Sequence, residues 1–144
     1  MENMLQTSDF VGVTFWIISV SMVASTFFFF SEANNVGKHW GTSVRVAGLI
    51  TLIAAVHYYY MRDVWVATGE TPTVLRYIDW LLTVPLQMIE FYLILAAVGA
   101  ATAGMFWRLL VGTLVMLVAG FMGEAGFINA TMGFIVGMAG WIYI

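Results

Sequence analysis

Five apolar runs, each about long enough to cross a bilayer and parted by short polar breaks, govern what this chain can fold into. Hydrocarbon offers no water to peptide N–H and C=O groups, so runs of this length are read as helices that bond their own backbone. The reading is an all-α membrane protein, a single transmembrane domain with spans at 10–30, 40–61, 73–98, 105–122 and 127–144. Charged residues make up only 9% of the chain, where a soluble domain carries about 25%. The breaks hold turn formers: Asn34, Asn35 and Gly37 in the first, Gly69 and Pro72 in the second, where Thr71 is placed to cap the next helix, and glycines at 99–104 and 123–126.

Composition excludes several classes of function. With zero cysteines there are no disulfides and no thiolate metal sites. A net charge of −3 gives no electrostatic footprint for nucleic acid. The two histidines lie too far apart in sequence to suggest a metal site. The polar, acidic start from Met1 to Asp9 lacks the basic region of a signal peptide, so the first span is expected to remain as an anchor. The chain stops on Trp141-Ile142-Tyr143-Ile144 without polar or basic flanks, which reads as a cut inside or just past the fifth helix. A five-span protein ending at the membrane surface is the alternative. Lys38, Arg45 and Arg108 share one side, and Arg62 stands on the other beside Glu2, Asp9, Asp63, Glu70 and Glu124. The positive-inside rule then places the N-terminus outside.

The third run carries what a passive anchor would not. A charge at mid-membrane costs about 2.5–3.5 kcal/mol on insertion scales, yet Arg76, Asp79 and Glu90 all lie there. At about 100° per residue from Asp79, Glu90 falls at about 20°, Thr83 at about 40°, Arg76 at about 60° and Gln87 at about 80°. These polar groups share one narrow face. Asp79 and Glu90 lie about 16 Å apart along the axis, like two stations on a proton path. Asp79 is the strongest candidate, with a structural ion pair to Arg76 as the plain alternative. Glu90 has no basic residue a turn away and reads as a neutral carboxyl ready to donate, unless it snorkels to the headgroups. His57, late in the second span, reaches a comparable depth. It either shares a proton with Asp79 or sits in the core bonded to a backbone carbonyl. Pro85 removes the helical bond to Leu81 and should kink the span. Glu124 reads as a solvated loop residue, and Gly112, Gly120, Gly133, Gly137 and Gly140 as close-packing positions.

The segment Arg76-Tyr77-Ile78-Asp79-Trp80-Leu81-Leu82-Thr83-Val84-Pro85-Leu86, continuing to Glu90, resembles the third helix of the microbial rhodopsins. It is most similar to their proteorhodopsin branch, retinal-based light-driven proton pumps of marine bacteria. His57-Tyr58-Tyr59-Tyr60-Met61-Arg62 and Met122-Gly123-Glu124-Ala125-Gly126 extend the resemblance over essentially the whole chain. It implies a microbial-rhodopsin-like helix bundle with the first five of seven helices present and the last two missing. It implies retinal as cofactor, with Asp79 as counterion and primary proton acceptor. His57, Arg76 and Thr83 would be the partners of that counterion, and Glu90 the cytoplasmic donor. Trp80, Val84, Gln87, Met116, Gly120 and Trp141 match the retinal pocket, and glutamine at Gln87 matches the blue-absorbing type. The family joins retinal to a lysine in its seventh helix. Lys38, the one lysine of this chain, lies in the first inner loop and cannot serve. The expected function is therefore that of a longer parent: outward proton pumping, a transport activity without hydrolytic or redox chemistry. A sensory photoreceptor is one alternative, and a retinal-free membrane protein with a structural charge network is another. The resemblance also implies a bacterial inner-membrane location, the lipid bilayer and the missing helices as partners, and a pentameric or hexameric homo-oligomer.

Overall fold

In the computed structural model, which describes residues 4–144, the apolar runs form α1 (Phe10–Glu32), α2 (Gly41–Thr68), α3 (Thr73–Ala97), α4 (Ala103–Glu124) and α5 (Ala130–Tyr143). Glu2, counted above among the outer charges, lies outside the described residues. By length and composition α1 to α4 can each cross a membrane, and α5 is a shorter apolar helix of 14 residues.

Local chemistry sets the helix ends. Asp9 caps α1 by accepting the Gly12 N–H at 2.9 Å, and its two carboxylate oxygens also accept the Trp65 indole N–H at 3.1 and 3.0 Å. One side chain thus ties the start of α1 to the last turns of α2. Helix α2 runs seven residues past the expected span end at 61. Arg62 and Asp63 end the apolar stretch but keep helical backbone bonds, and the helix stops only at Gly69, whose φ of 69° suits glycine. Thr71 does not cap α3: its carbonyl accepts the Thr73 N–H at 2.8 Å, and Pro72 occupies the cap position. Pro85 lies within an uninterrupted α3. Helix α4 continues to Glu124, so the turn expected at 123–126 falls at 125–129 instead, and the Asn129 carboxamide caps α5 through the Thr131 N–H at 2.9 Å. This cap delays α5 by three residues relative to its apolar run.

Among the described residues each helix packs only on its sequence neighbours: α1 on α2, α2 on α3, α3 on α4 and α4 on α5. The result is a row of antiparallel helices. Between α1 and α2 the Thr26 and Thr51 hydroxyls meet at 2.9 Å. Between α4 and α5 the backbones themselves touch, because a Cβ on Gly133 would lie 2.8 Å from the Ala119 carbonyl oxygen. Large apolar side chains such as Phe27 and Ile142 face outward, as a lipid solvent allows.

Candidate functional site

The α2–α3 interface buries an acid. Asp79 is only 2% exposed, and its Oδ1 has no hydrogen-bond partner among the described residues. The His57 Nδ1 stands 3.5 Å from that oxygen and 2.9 Å from the Ile53 carbonyl. A carbonyl oxygen can only accept, so this contact puts the proton on Nδ1. That N–H is directed to Ile53, and Nδ1 stands beside Asp79 without bonding it. Both sequence readings of His57 thus describe one ring: it is bonded to its own helix and set beside the acid. Thr83 donates at 2.9 Å to the backbone carbonyl of Asp79, one turn earlier, rather than to the carboxylate.

Arg76 is not the ion-pair partner of Asp79. Its Nη2 donates to the Glu124 carboxylate at the end of α4, and its guanidinium carbon lies 5.3 Å from the Trp80 ring centroid and 5.9 Å from that of Tyr77. Antiparallel packing explains the switch, since it sets the last turn of α4 beside the first turn of α3. Glu124 is therefore a paired helix-end residue, not a free loop charge, and the Thr73 hydroxyl also donates to it at 3.4 Å. Glu90 lies further along α3, half-buried, with no ion-pair partner among the described residues.

Beside this polar seam lies an apolar cleft of about 530 Å³, with α4 as floor and α3 and α5 as walls. Trp80, Val84, Met116, Gly120 and Trp141 line it together. Gln87 does not: it is exposed, and lies about 60° around α3 from Val84. The cleft also uses residues that the sequence reading passed over. Tyr77 packs edge-on to Trp80 at 5.1 Å and against Phe121 at 5.2 Å. Its hydroxyl would come within 3.1 Å of a Cβ on Gly120, so the glycine makes room for the ring. The spacing of Tyr77, Trp80 and Val84, three and four residues apart, is the helical signal that could have found it. Thr113, fully buried and with no partner for its hydroxyl among the described residues, lies on the same face of α4 as Met116 and Gly120.

The aromatic cleft suits the hydrocarbon of a long apolar group such as retinal, and Asp79 is not among its lining residues. Lys38 cannot supply the attachment. Along α2 alone, Gly41 and His57 stand about 24 Å apart, far beyond the reach of a lysine side chain.

Comparison with known proteins agrees with this fold. Residues 9–144 match the family described as bacteriorhodopsin-like protein. The chain is 59% identical over 140 residues to a blue-light absorbing proteorhodopsin of Gamma-proteobacterium Hot 75m4, covering 97% of this chain and 56% of that protein. The crystal structure of a blue light-absorbing proteorhodopsin from Med12 superposes with a TM-score of 0.84 at 56% identity, over 94% of this chain and 64% of that one. Xanthorhodopsin, described as a light-driven ion pump with dual chromophore, gives 0.81 at 27% identity, over 93% and 60%. The chain thus spans about half the length of the curated relative it matches.

Proposed function

Because the chain belongs to the bacteriorhodopsin-like family, we propose that it forms the proton-handling part of a light-driven pump that moves protons outward across a bacterial inner membrane. The unpaired, buried Oδ1 of Asp79 beside the His57 N–H carries this reading. Retinal, when bound through a lysine from outside these 144 residues, would supply a proton whose affinity for its site changes with light.

The chain's own groups do the rest. Asp79 receives the proton at Oδ1, where its negative charge has no hydrogen bond to lose. The His57 N–H, fixed by Ile53, steadies that charge from 3.5 Å. Glu124 holds Arg76 away from Asp79, which leaves the acid free to take a proton rather than locked in an ion pair. Trp80, Tyr77, Met116 and Trp141 keep water out of the cleft, so charge is passed between fixed stations. Glu90, about 16 Å further along α3, refills the site from the inner side. The basic residues at the α1–α2 connection support an N-terminus outside, and the likeness to blue-light absorbing relatives supports the blue-absorbing type. Assembly as a homo-oligomer belongs to the same reading. A transport cycle of this kind uses no hydrolysis.

Both an acceptor and a donor carboxylic acid are present, which favours a pump over a photosensor. The test is light-driven acidification of the medium by cells expressing the full-length protein. Acidification abolished by Asp79→Asn is expected. A photocycle lasting seconds with no net proton export would mean that the protein is a sensor.

A further inference from the structure

The chain has five Lys and Arg residues, and their partners divide them sharply. Arg62 pairs with Asp63, Arg76 pairs with Glu124, and Arg108 donates to the Tyr143 carbonyl at 2.9 Å. Among the described residues Arg108, Lys38 and Arg45 all lack an acidic partner, and of these three Lys38 and Arg45 stand together. Both line the same cavity, a pocket of about 240 Å³ at the α1–α2 connection, with Ala33, Asn34, Val36 and Gly41.

The pocket is built rather than incidental. The Asn34 carboxamide oxygen accepts from Arg45 Nη2 at 2.7 Å, which orients the guanidinium but leaves its charge uncompensated. Gly41 is buried, and a Cβ there would lie 3.0 Å from the Ala33 carbonyl oxygen and 3.4 Å from Arg45 Nη1. A larger residue would press on the Ala33 carbonyl and narrow the space beside the guanidinium. The first turn of α2 opens into the pocket and adds positive potential. Glu32, the acid nearest in sequence, accepts from the Asn35 amide at 3.4 Å and does not line the pocket. Trp40, the chain neighbour of the lining residue Gly41, is 39% exposed at this end of α2.

Two uncompensated cations, one held in a fixed orientation, at the end of two membrane-spanning helices make a site for a phosphate oxyanion. We infer that this pocket binds the phosphodiester headgroup of an anionic membrane lipid, clasped between Lys38 and Arg45. The guanidinium fork offers paired donors to phosphate, and the lysine adds a mobile point charge. Free phosphate shares this chemistry but lacks the acyl chains that would lie along the adjoining membrane-spanning helices.

The experiment is native mass spectrometry of the delipidated full-length protein titrated with phosphatidylglycerol, phosphatidylcholine or inorganic phosphate. A retained phosphatidylglycerol adduct is expected, with affinity falling about fivefold for each of Lys38→Gln and Arg45→Gln. Arg62→Gln, at the other membrane surface, should leave it unchanged. Lys38→Gln alters only an exposed loop side chain, so it stays informative even if Arg45→Gln disturbs folding. Wild-type phosphatidylglycerol affinity in Lys38→Gln, equal retention of phosphatidylcholine, or binding of inorganic phosphate without any preference for the lipid would each overturn the proposal.

Discussion

Gly133 and Gly137 lie one turn apart on the same face of α5, and alanine at each should have opposite consequences. A Cβ on Gly133 would sit 2.8 Å from the Ala119 carbonyl oxygen and 2.8 Å from the Gly123 Cα. Both are backbone atoms of α4, which cannot rotate aside as a side chain can. Overpacking of this kind costs about 1–3 kcal/mol. A Cβ on Gly137 would meet the Met116 carbonyl oxygen at 3.4 Å, an ordinary contact. Each substitution also gains about 0.8–1 kcal/mol of helix propensity. That gain is common to both and cancels in the comparison. Gly133→Ala should therefore be less stable than Gly137→Ala by about 1–3 kcal/mol, and Gly137→Ala neutral or slightly more stable than wild type. The assay is thermal unfolding of the full-length protein in one detergent, where each kcal/mol corresponds to about 2–4 °C for a chain of a few hundred residues. Equal melting temperatures, or a lower one for Gly137→Ala, would refute backbone contact as the basis of α4–α5 packing.

Glu90→Gln should slow the dark recovery of the photocycle by about a hundredfold or more, because a positioned proton donor is worth at least that much, and flash photolysis would measure it. Asp9→Ala should cost about 1–2 kcal/mol and raise hydrogen exchange in the first turn of α1, since it removes both a cap and the anchor to Trp65. Glu124→Gln should cost no more than about 1 kcal/mol in melting experiments, because the pair with Arg76 is partly exposed, while the freed arginine should shift the visible absorption of the pigment.

Much of the architecture was legible in the residues. Apolar runs of bilayer length force helices, because lipid satisfies no peptide group, and the polar residues of α3 share a face through helical periodicity alone. Helix ends were read less well at α2 and α5. There a change of polarity marks the membrane surface, whereas Gly69 and Asn129 decide where backbone hydrogen bonding starts or stops. Five of the six residues expected in the pocket line the cleft, and Gln87 does not. Tyr77, Phe134 and Met138 were overlooked because an aromatic or methionine in an apolar run carries no mark of what it faces.

The pairing of charges needed the fold. Periodicity ranks Arg76 as a neighbour of Asp79, three residues away on one helix. Which carboxylate the guanidinium meets depends on what the next helix presents at that height. Antiparallel packing of α3 and α4 brings Glu124, 48 residues distant in sequence, to the arginine and leaves Asp79 to His57 from α2. The chain's own pattern of polarity dictated that costly groups would be buried on one face. Only the placement of neighbouring helices decided that the acid is left without a cation of its own, since a long side chain goes to whichever opposite charge lies within its reach.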